Sequence, residues 1–209
     1  IIYSDSSYNV WNKFISLDND TISISVEIDG IFDWAASSAI GKYYYNSIYI
    51  GGTLSSSVNR SSSAFYKYDF SVTDFRNNLL YNQRTGGTGP NHLCLLSNSN
   101  VTSNYNLFVN TNSAIMAFYS GSSHSFTSFK SNSGGDANSM YETTTTIPAD
   151  SIFTDKANGD LTIPTSSRHA WYVNGTGIPI TGYADDYNST AVRSTRISTG
   201  ASDIGADEV

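Results

Sequence analysis

Asn46-Ser-Ile-Tyr-Ile50 returns as Asn78-Leu-Leu-Tyr81 and again as Asn106-Leu-Phe-Val109, each time an asparagine set immediately before a short apolar strand. The steps are 32 residues, from Asn46 to Asn78, and 28, from Asn78 to Asn106. That spacing suits one supersecondary unit stacked on the next, so each step reads as one coil of a β-solenoid. An asparagine at the same turn of every coil can hydrogen-bond to those above and below it and to turn backbone. Asn46, Asn78 and Asn106 are therefore assigned structural roles.

Outward from these repeats, short apolar or alternating runs recur at 22–28, 43–50, 64–72, 78–81, 92–96, 105–109 and 115–119, each bounded by Ser, Asn, Gly or Asp. Such runs predict strands of about four to eight residues separated by turns. Helical periodicity is nearly absent, and the enrichment in β-branched and aromatic residues points the same way. The expected architecture is all-β, a single solenoid domain. Residues 1–42 would be one or more N-terminal coils or a fragment of preceding coils, 43–172 the main coils, and 173–209 a loop-rich C-terminal capping segment, because a solenoid exposes bare core and open strand edges at its ends.

Only 14% of the 209 residues are charged, while Ser, Thr, Asn and Gly dominate the polar positions, so the surface is wetted by hydroxyls and amides. Tyr (15) and Phe (10) far outnumber Met (2), a mixture that suits β-structure and sugar-facing surfaces. The net charge of −7, with 11 Lys and Arg spread along the chain, argues against nucleic acid and anionic membranes as partners. No apolar run reaches the length of about eighteen residues that a membrane span requires. Cys94, in Leu93-Cys-Leu-Leu96, is a lone thiol and reads as a small buried apolar residue. The chain starts at Ile1-Ile-Tyr3 without an initiator Met or signal peptide, and reads as a piece of a larger polypeptide.

No catalytic residue is nominated. Lys42, Arg60, Lys67, Arg76, Arg84 and Lys130 are the available bases, and only Lys67 and Arg76 have acids close by, Asp69 and Asp74. Period two puts Lys67, Asp69 and Ser71 on one face and Asp74 with Arg76 on a face across a turn, which predicts two local ion pairs on an exposed strand. His92, His124 and His169 lack metal-ligand spacing, and no nucleophile elbow is present. Thr85-Gly-Gly-Thr-Gly-Pro90 lacks the Lys and Ser/Thr of a phosphate loop. Tyr43, Tyr45, Tyr49, Tyr66 and Tyr68 alternate on Tyr-rich strands and cannot all be accommodated inside, so they are the candidate ligand contacts. Asp155, Asp160, Asp185, Asp186, Asp203, Asp207 and Glu208 crowd the tail. A structural Ca²⁺ is one use for them, with no other cofactor or metal expected, and an ion pair to Arg193 is another.

Asp150-Ser-Ile-Phe-Thr-Asp155, Gly159-Asp-Leu-Thr-Ile163, the segment from Asp185 to Arg193, and Asp203-Ile-Gly-Ala-Asp-Glu208 together resemble the closing segment of right-handed parallel β-helix, pectin-lyase-like proteins secreted by Bacteroidetes-type bacteria. Tyr44-Tyr-Asn-Ser-Ile-Tyr-Ile-Gly-Gly52, Phe75-Arg-Asn-Asn-Leu-Leu-Tyr-Asn82, Asn104-Tyr-Asn-Leu-Phe108 and Gly135-Asp-Ala-Asn-Ser139 extend the resemblance over residues 43–209. It implies a right-handed parallel β-helix, export through the type IX secretion system, an extracellular or cell-surface location, and an adhesin-like or gliding-type surface protein with glycans or extracellular surfaces as partners. The family's Asp…Arg…Asp-Ile-Gly-Ala pattern implies that Arg193 pairs with Asp203 or Asp186, although Ser189 stands where a Gly is usual. Asp20-Thr21-Ile22 and Asp150-Ser151-Ile152 look like the sites that such bacteria O-glycosylate, at Thr21 and Ser151. The alternative is a polysaccharide lyase or glycoside hydrolase of the same fold, with active coils partly upstream of Ile1.

Overall fold

A computed structural model describes residues 1–18, 21–22, 26–55, 61–88, 92–112, 114–187 and 200–207. The chain winds as a parallel β-solenoid of about four turns. The first turn holds β1 (Ile2–Ser4), β2 (Tyr8–Trp11), β3 (Phe14–Leu17) and β4 (Thr21–Ile22). The second holds β5 (Ile28–Ala35), β6 (Ile40–Tyr44), β7 (Ser47–Ile50) and β8 (Thr53–Leu54), and the third β9 (Ser62–Lys67), β10 (Val72–Arg76), β11 (Leu79–Asn82) and β12 (Thr85–Gly86). The fourth holds β13 (His92–Ser97), β14 (Val101–Asn104) and β15 (Leu107–Asn110); β16 (Ala117–Tyr119), β17 (Ser122–His124) and β18 (Met140–Thr143) follow. Equivalent strands stack into sheet A (β1-β5-β9-β13-β16-β17), sheet B (β2-β6-β10-β14), sheet C (β3-β7-β11-β15-β18) and the short sheet D (β4-β8-β12). Every described strand pairing is parallel except β16 with β17, and one isolated bridge, Asp155 with Asp160, is antiparallel. Leu79 lies opposite both Ser47 and Leu107, so the 32- and 28-residue steps are coil lengths.

Three expected strands are divided. The run 43–50 breaks at Tyr45, 64–72 splits between β9 and β10, and 22–28 divides between β4 and β5, with 23–25 outside the described residues. The break at Tyr45 has a repeated cause. Asn12, Tyr45, Asn77 and Tyr105 have φ of 51°, 54°, 58° and 56°, and each turns the chain from sheet B into sheet C. Left-handed backbone is uncommon for non-glycine residues and persists where the surroundings impose it. Here the residue after each corner supplies the restraint. Lys13 N–H donates to Asn46 Oδ1 (3.2 Å), Asn46 N–H to Asn78 Oδ1 (3.1 Å), Asn78 N–H to Asn106 Oδ1 (2.8 Å), and Asn106 N–H to Ser139 Oγ (2.9 Å). The expected boundary at residue 42 falls inside β6, so 1–42 contains one whole turn and half of the next.

Two apolar layers flank sheet C. Inside the solenoid, Ile48, Phe65, Phe75, Leu80, Cys94, Leu95 and Phe108 form the core. Outside it, Tyr49, Leu79, Tyr81, Leu107 and Val109 pack against Ile147, Ile152, Phe153, Leu161, Ile163, Val173 and Ile204 from the C-terminal segment. Strands buried on both faces read as continuous apolar runs, which is how β7, β11 and β15 read. The tail after Tyr172 therefore does more than the capping expected of it, because it runs along the flank of sheet C. Gly177 N–H donates to Ser202 O (2.7 Å), Gly205 N–H to Asn77 O (2.8 Å), and Ala206 N–H to Ser47 Oγ (3.0 Å). Gly205 has φ of +94°, and a Cβ there would lie 2.8 Å from Ser47 Oγ, so only glycine allows this approach. The core beyond the fourth turn is covered by α1 (Phe126–Ser133), whose Phe126 and Phe129 pack on Phe108 with ring centroids 6.0 and 6.4 Å away. Ser125 caps this helix at its start and Gly134, in left-handed conformation, at its end.

Candidate functional site

Sheet A turns Ile31 and Phe65 inward and their neighbours Phe32 and Tyr66 outward, as strand alternation requires. Phe32 is opposite Tyr66, Tyr66 opposite Leu96, and Leu96 opposite Phe118, which gives an outward apolar ladder along the stack. Trp34 and Tyr68 join it at one edge. The ring centroids are 5.0 Å apart for Phe32–Tyr66 and 5.3 Å for Trp34–Tyr68, both edge-on, and 6.0 Å for Phe32–Tyr68. Trp34 is 49% exposed and Tyr68 46%. Backbone bonds fix the turn that carries Tyr68: its N–H donates to Asp33 O (2.9 Å), and Asn98 Nδ2 donates to its carbonyl (3.2 Å). Burial raises the Tyr66 hydroxyl pKa, and Glu27 and Asp29 add to this. Burial also pushes Asp29 up to about 6, against the hydrogen bond it accepts from Ser63.

From Tyr68 the surface turns the corner into sheet B at Phe70, which is 74% exposed. Phe70, Val72, Asn98, Ser99, Asn100, Thr102 and Ser120 help line an open groove of about 450 Å³. Asn100 and Thr102 also border a second depression of about 510 Å³, with Asn104, Asn132 and Gly134. Among the described residues no ionisable side chain lines either groove. An aromatic face beside a row of amides and hydroxyls can stack on one side of a sugar ring and read its hydroxyls from the other.

Of the five tyrosines singled out as contacts, only Tyr66 and Tyr68 belong to this face. Tyr43, Tyr45 and Tyr49 are buried, which removes these three from the expected contacts, while Tyr66 and Tyr68 stay outside the core. Tyr43 packs against Phe65 and Phe75 in the core. Tyr45 donates its hydroxyl to Ile178 O (2.9 Å) and accepts from Ile180 N–H (3.1 Å), beneath the tail. Tyr49 packs against Tyr81 and Phe153 and accepts from Gln83 Nε2 (2.5 Å). The C-terminal segment buries Tyr45 and Tyr49, and strand alternation alone gives no sign of it. Phe32 and Trp34 went unselected, although Phe32-x-Trp34 returns 34 residues later as Tyr66-x-Tyr68.

Lys67 with Asp69 and Asp74 with Arg76 form two separate groups, with no hydrogen bond or ion pair joining them among the described residues. Arg76 and Asp74 pair at 2.6 Å on the flank of sheet B, and Asp74 also accepts from the Tyr44 hydroxyl (2.6 Å), whose pKa burial pushes up to about 12. Lys67 and Asp69, expected on an exposed strand, are instead buried, with Lys67 Nζ donating to Asp69 Oδ1 (3.0 Å) and Ser71 Oγ (2.7 Å). The reason is the corner between sheets A and B, which folds 69–71 back over the end of β9. Each histidine bonds a serine through Nδ1: His92 to Ser62 (2.9 Å), His124 to Ser128 (2.8 Å) and His169 to Ser151 (2.7 Å). No carboxylate completes any of these pairs among the described residues.

The tail acids serve local backbone. Asp155 caps the turn at Asn158, Asp203 accepts from Gly175 N–H (2.6 Å), and Asp207 from Ile163 N–H (2.8 Å). Among the described residues no three His, Cys, Asp or Glu side chains gather as a metal site. Arg193 lies outside the described residues, as does Glu208. Ser151 sits on α2 (Ala149–Ile152) and donates its hydroxyl to Pro148 O (2.6 Å); the backbone of Thr21 lies in β4. No described helix is long and apolar enough to cross a membrane. The fold and this face define a parallel β-solenoid with an aromatic and amide-rich flank. No protein-family model, curated protein or solved structure matches the chain.

Proposed function

We propose that this chain is a glycan-binding and structural module of a larger secreted or cell-surface protein of adhesin type. The observation that carries this reading is the outward cluster of exposed Trp34 and Tyr68 with half-buried Phe32 and Tyr66, beside the groove of Phe70, Asn98, Asn100 and Thr102. Its rings are held in register by neighbouring turns, so little side-chain entropy is lost on binding. The resemblance of residues 43–209 to secreted right-handed β-helix proteins supports the surface location. The described linings of both grooves are amides, hydroxyls and apolar groups, which favours binding over the alternative, a lyase or glycosidase.

The test is affinity electrophoresis and a glycan array on the native chain and on a Trp34→Ala/Tyr68→Ala variant, with ultraviolet assay for unsaturated products. Truncating two such aromatic anchors should weaken binding about tenfold or more while the thermal midpoint stays in place. Undiminished binding by the variant, or no binding by the native chain, would reject the reading. Release of unsaturated products would replace it with the lyase.

A further inference from the structure

We propose that Lys67 and Asp33 condense to an intramolecular isopeptide bond that ties the second turn of the solenoid to the third. The two residues are register partners on β5 and β9, and neither side chain reaches solvent, with relative exposures of 0% for both. Lys67 Nζ stands 3.8 Å from Asp33 Oδ2. That oxygen is buried and has no hydrogen-bond partner, whereas Oδ1 accepts from the Tyr8 hydroxyl. The carboxyl is thus held by one oxygen with the other turned toward the amine. On its far side the amine is positioned by Asp69 Oδ1 and Ser71 Oγ, and Asp69 is fixed by the N–H groups of Ala35 and Ser71. Phe65, Phe75 and Tyr43 pack in the same core.

A buried oxygen without a donor and three buried charges are an expensive arrangement, and each such group calls for a physical explanation. Amide formation removes one charge of each sign and expels the unpartnered oxygen. Burial raises the Asp33 pKa and so favours its neutral acid, the electrophilic form. Lys67 passes one proton to Asp69 and attacks Asp33 Cγ as the neutral amine, forming the C–N bond. The C–Oδ2 bond then breaks, and Oδ2 leaves as water carrying the acid's proton and a second proton from nitrogen. Asp69 releases its proton to solvent. The Tyr8 hydroxyl donates to Oδ1, where negative charge collects in the tetrahedral adduct. The reaction requires no oxidant or other co-reactant.

The test is intact-mass measurement of the full folded chain before and after prolonged incubation, with protease mapping. The expected result is a mass lower than the sequence mass by one water, located in a branched peptide that joins the segments containing Asp33 and Lys67. Lys67→Met should retain the full sequence mass. Asp69→Asn, which keeps one acceptor oxygen for the Ser71 amide and Lys67 but loses that of the Ala35 amide, should form the link at least tenfold more slowly in the folded chain. A folded native chain that stays at the sequence mass would overturn the proposal. So would loss of water mapped to a succinimide, for instance at Asp29-Gly30, with Asp33 and Lys67 recovered in unlinked peptides.

Discussion

Replacing Asn78 by alanine should destabilise the solenoid by about 3–4 kcal/mol. Asn78 is fully buried and stands in the middle of the corner ladder. Its Oδ1 accepts from Asn46 N–H (3.1 Å) and Asn46 Nδ2 (2.9 Å), and its Nδ2 donates to Tyr43 O (2.9 Å), Arg76 O (3.0 Å) and Asn106 Oδ1 (3.1 Å). Truncation leaves the buried Asn46 N–H without its acceptor, which costs about 1–3 kcal/mol. The four other bonds would contribute about 0.5–1.5 kcal/mol each if independent, but several partners keep another bond, so only part of that sum is lost. Arg76 O, for example, still accepts from Tyr45 N–H (3.3 Å). Asn46→Ala is the internal control: the N–H it abandons belongs to Lys13, which is exposed and can turn to water, so its cost should be smaller by at least about 1 kcal/mol. Equilibrium urea unfolding, followed by both circular dichroism and fluorescence to test two-state behaviour, gives both values. If Asn78→Ala lies within about 0.5 kcal/mol of the native chain, or costs no more than Asn46→Ala, the ladder does not stabilise the corner in the way argued here.

Two further outcomes follow from buried titratable groups. Asp29 is raised to about 6 by burial, so the folded chain holds this proton more tightly than the unfolded chain does. Its contribution to stability is therefore present at low pH and declines as pH climbs through the range from about 4 to about 6. Asp29→Asn should remove that decline and gain about 1 kcal/mol at neutral pH, a figure reduced from the full linkage value because the group is partly solvated; parallel pH profiles of the urea midpoint for the two chains would contradict this. Burial also pushes the Cys94 thiol pKa well up, and Sγ lies against Leu80 O and Val109 O, so a thiol reagent should label it only after unfolding. Rapid stoichiometric labelling of the native chain would contradict the burial.

The coil repeat was legible because asparagines before apolar strands mark the same corner in successive turns, and a two-residue strand period then assigns the faces. Three features escaped. Tyr45 looks like one more residue of an alternating strand, yet it occupies a left-handed corner because Asn46 and its ladder partners hold it there. Tyr49 points away from the solenoid interior as alternation requires, and is buried all the same because Phe153 and the following loops cover that side. Lys67 and Asp69 look like a surface pair because a charged stretch ordinarily is one; only the fold of the 69–71 corner closes them in. The misses at Tyr45 and Tyr49 come from contacts between residues far apart in sequence, and that at Lys67 from the path of a corner, neither of which strand patterning encodes.

The distribution of covered and bare surfaces restricts where a ligand can be met. Sheet C is covered on its outer side by the C-terminal segment from Ile147 onward, so Tyr49 and Tyr81 stabilise the stack. Sheets A and B keep their aromatic and amide faces bare, and the two faces meet at residues 68–72. That corner rests directly on the buried cluster. Tyr68 N–H donates to the backbone carbonyl of Asp33, Ser71 Oγ accepts from Lys67 Nζ while Ser71 itself lines the groove, and Ser99, also in the groove, donates to Asp69 O (2.7 Å). The interior charges thus set the position of the exposed rings, and pre-organisation of this kind raises affinity by lowering the ordering cost of binding. If the proposed glycan site is used, a substitution at Lys67 should weaken binding on a glycan array without touching the ligand, whereas a substitution at Tyr49 should alter stability alone.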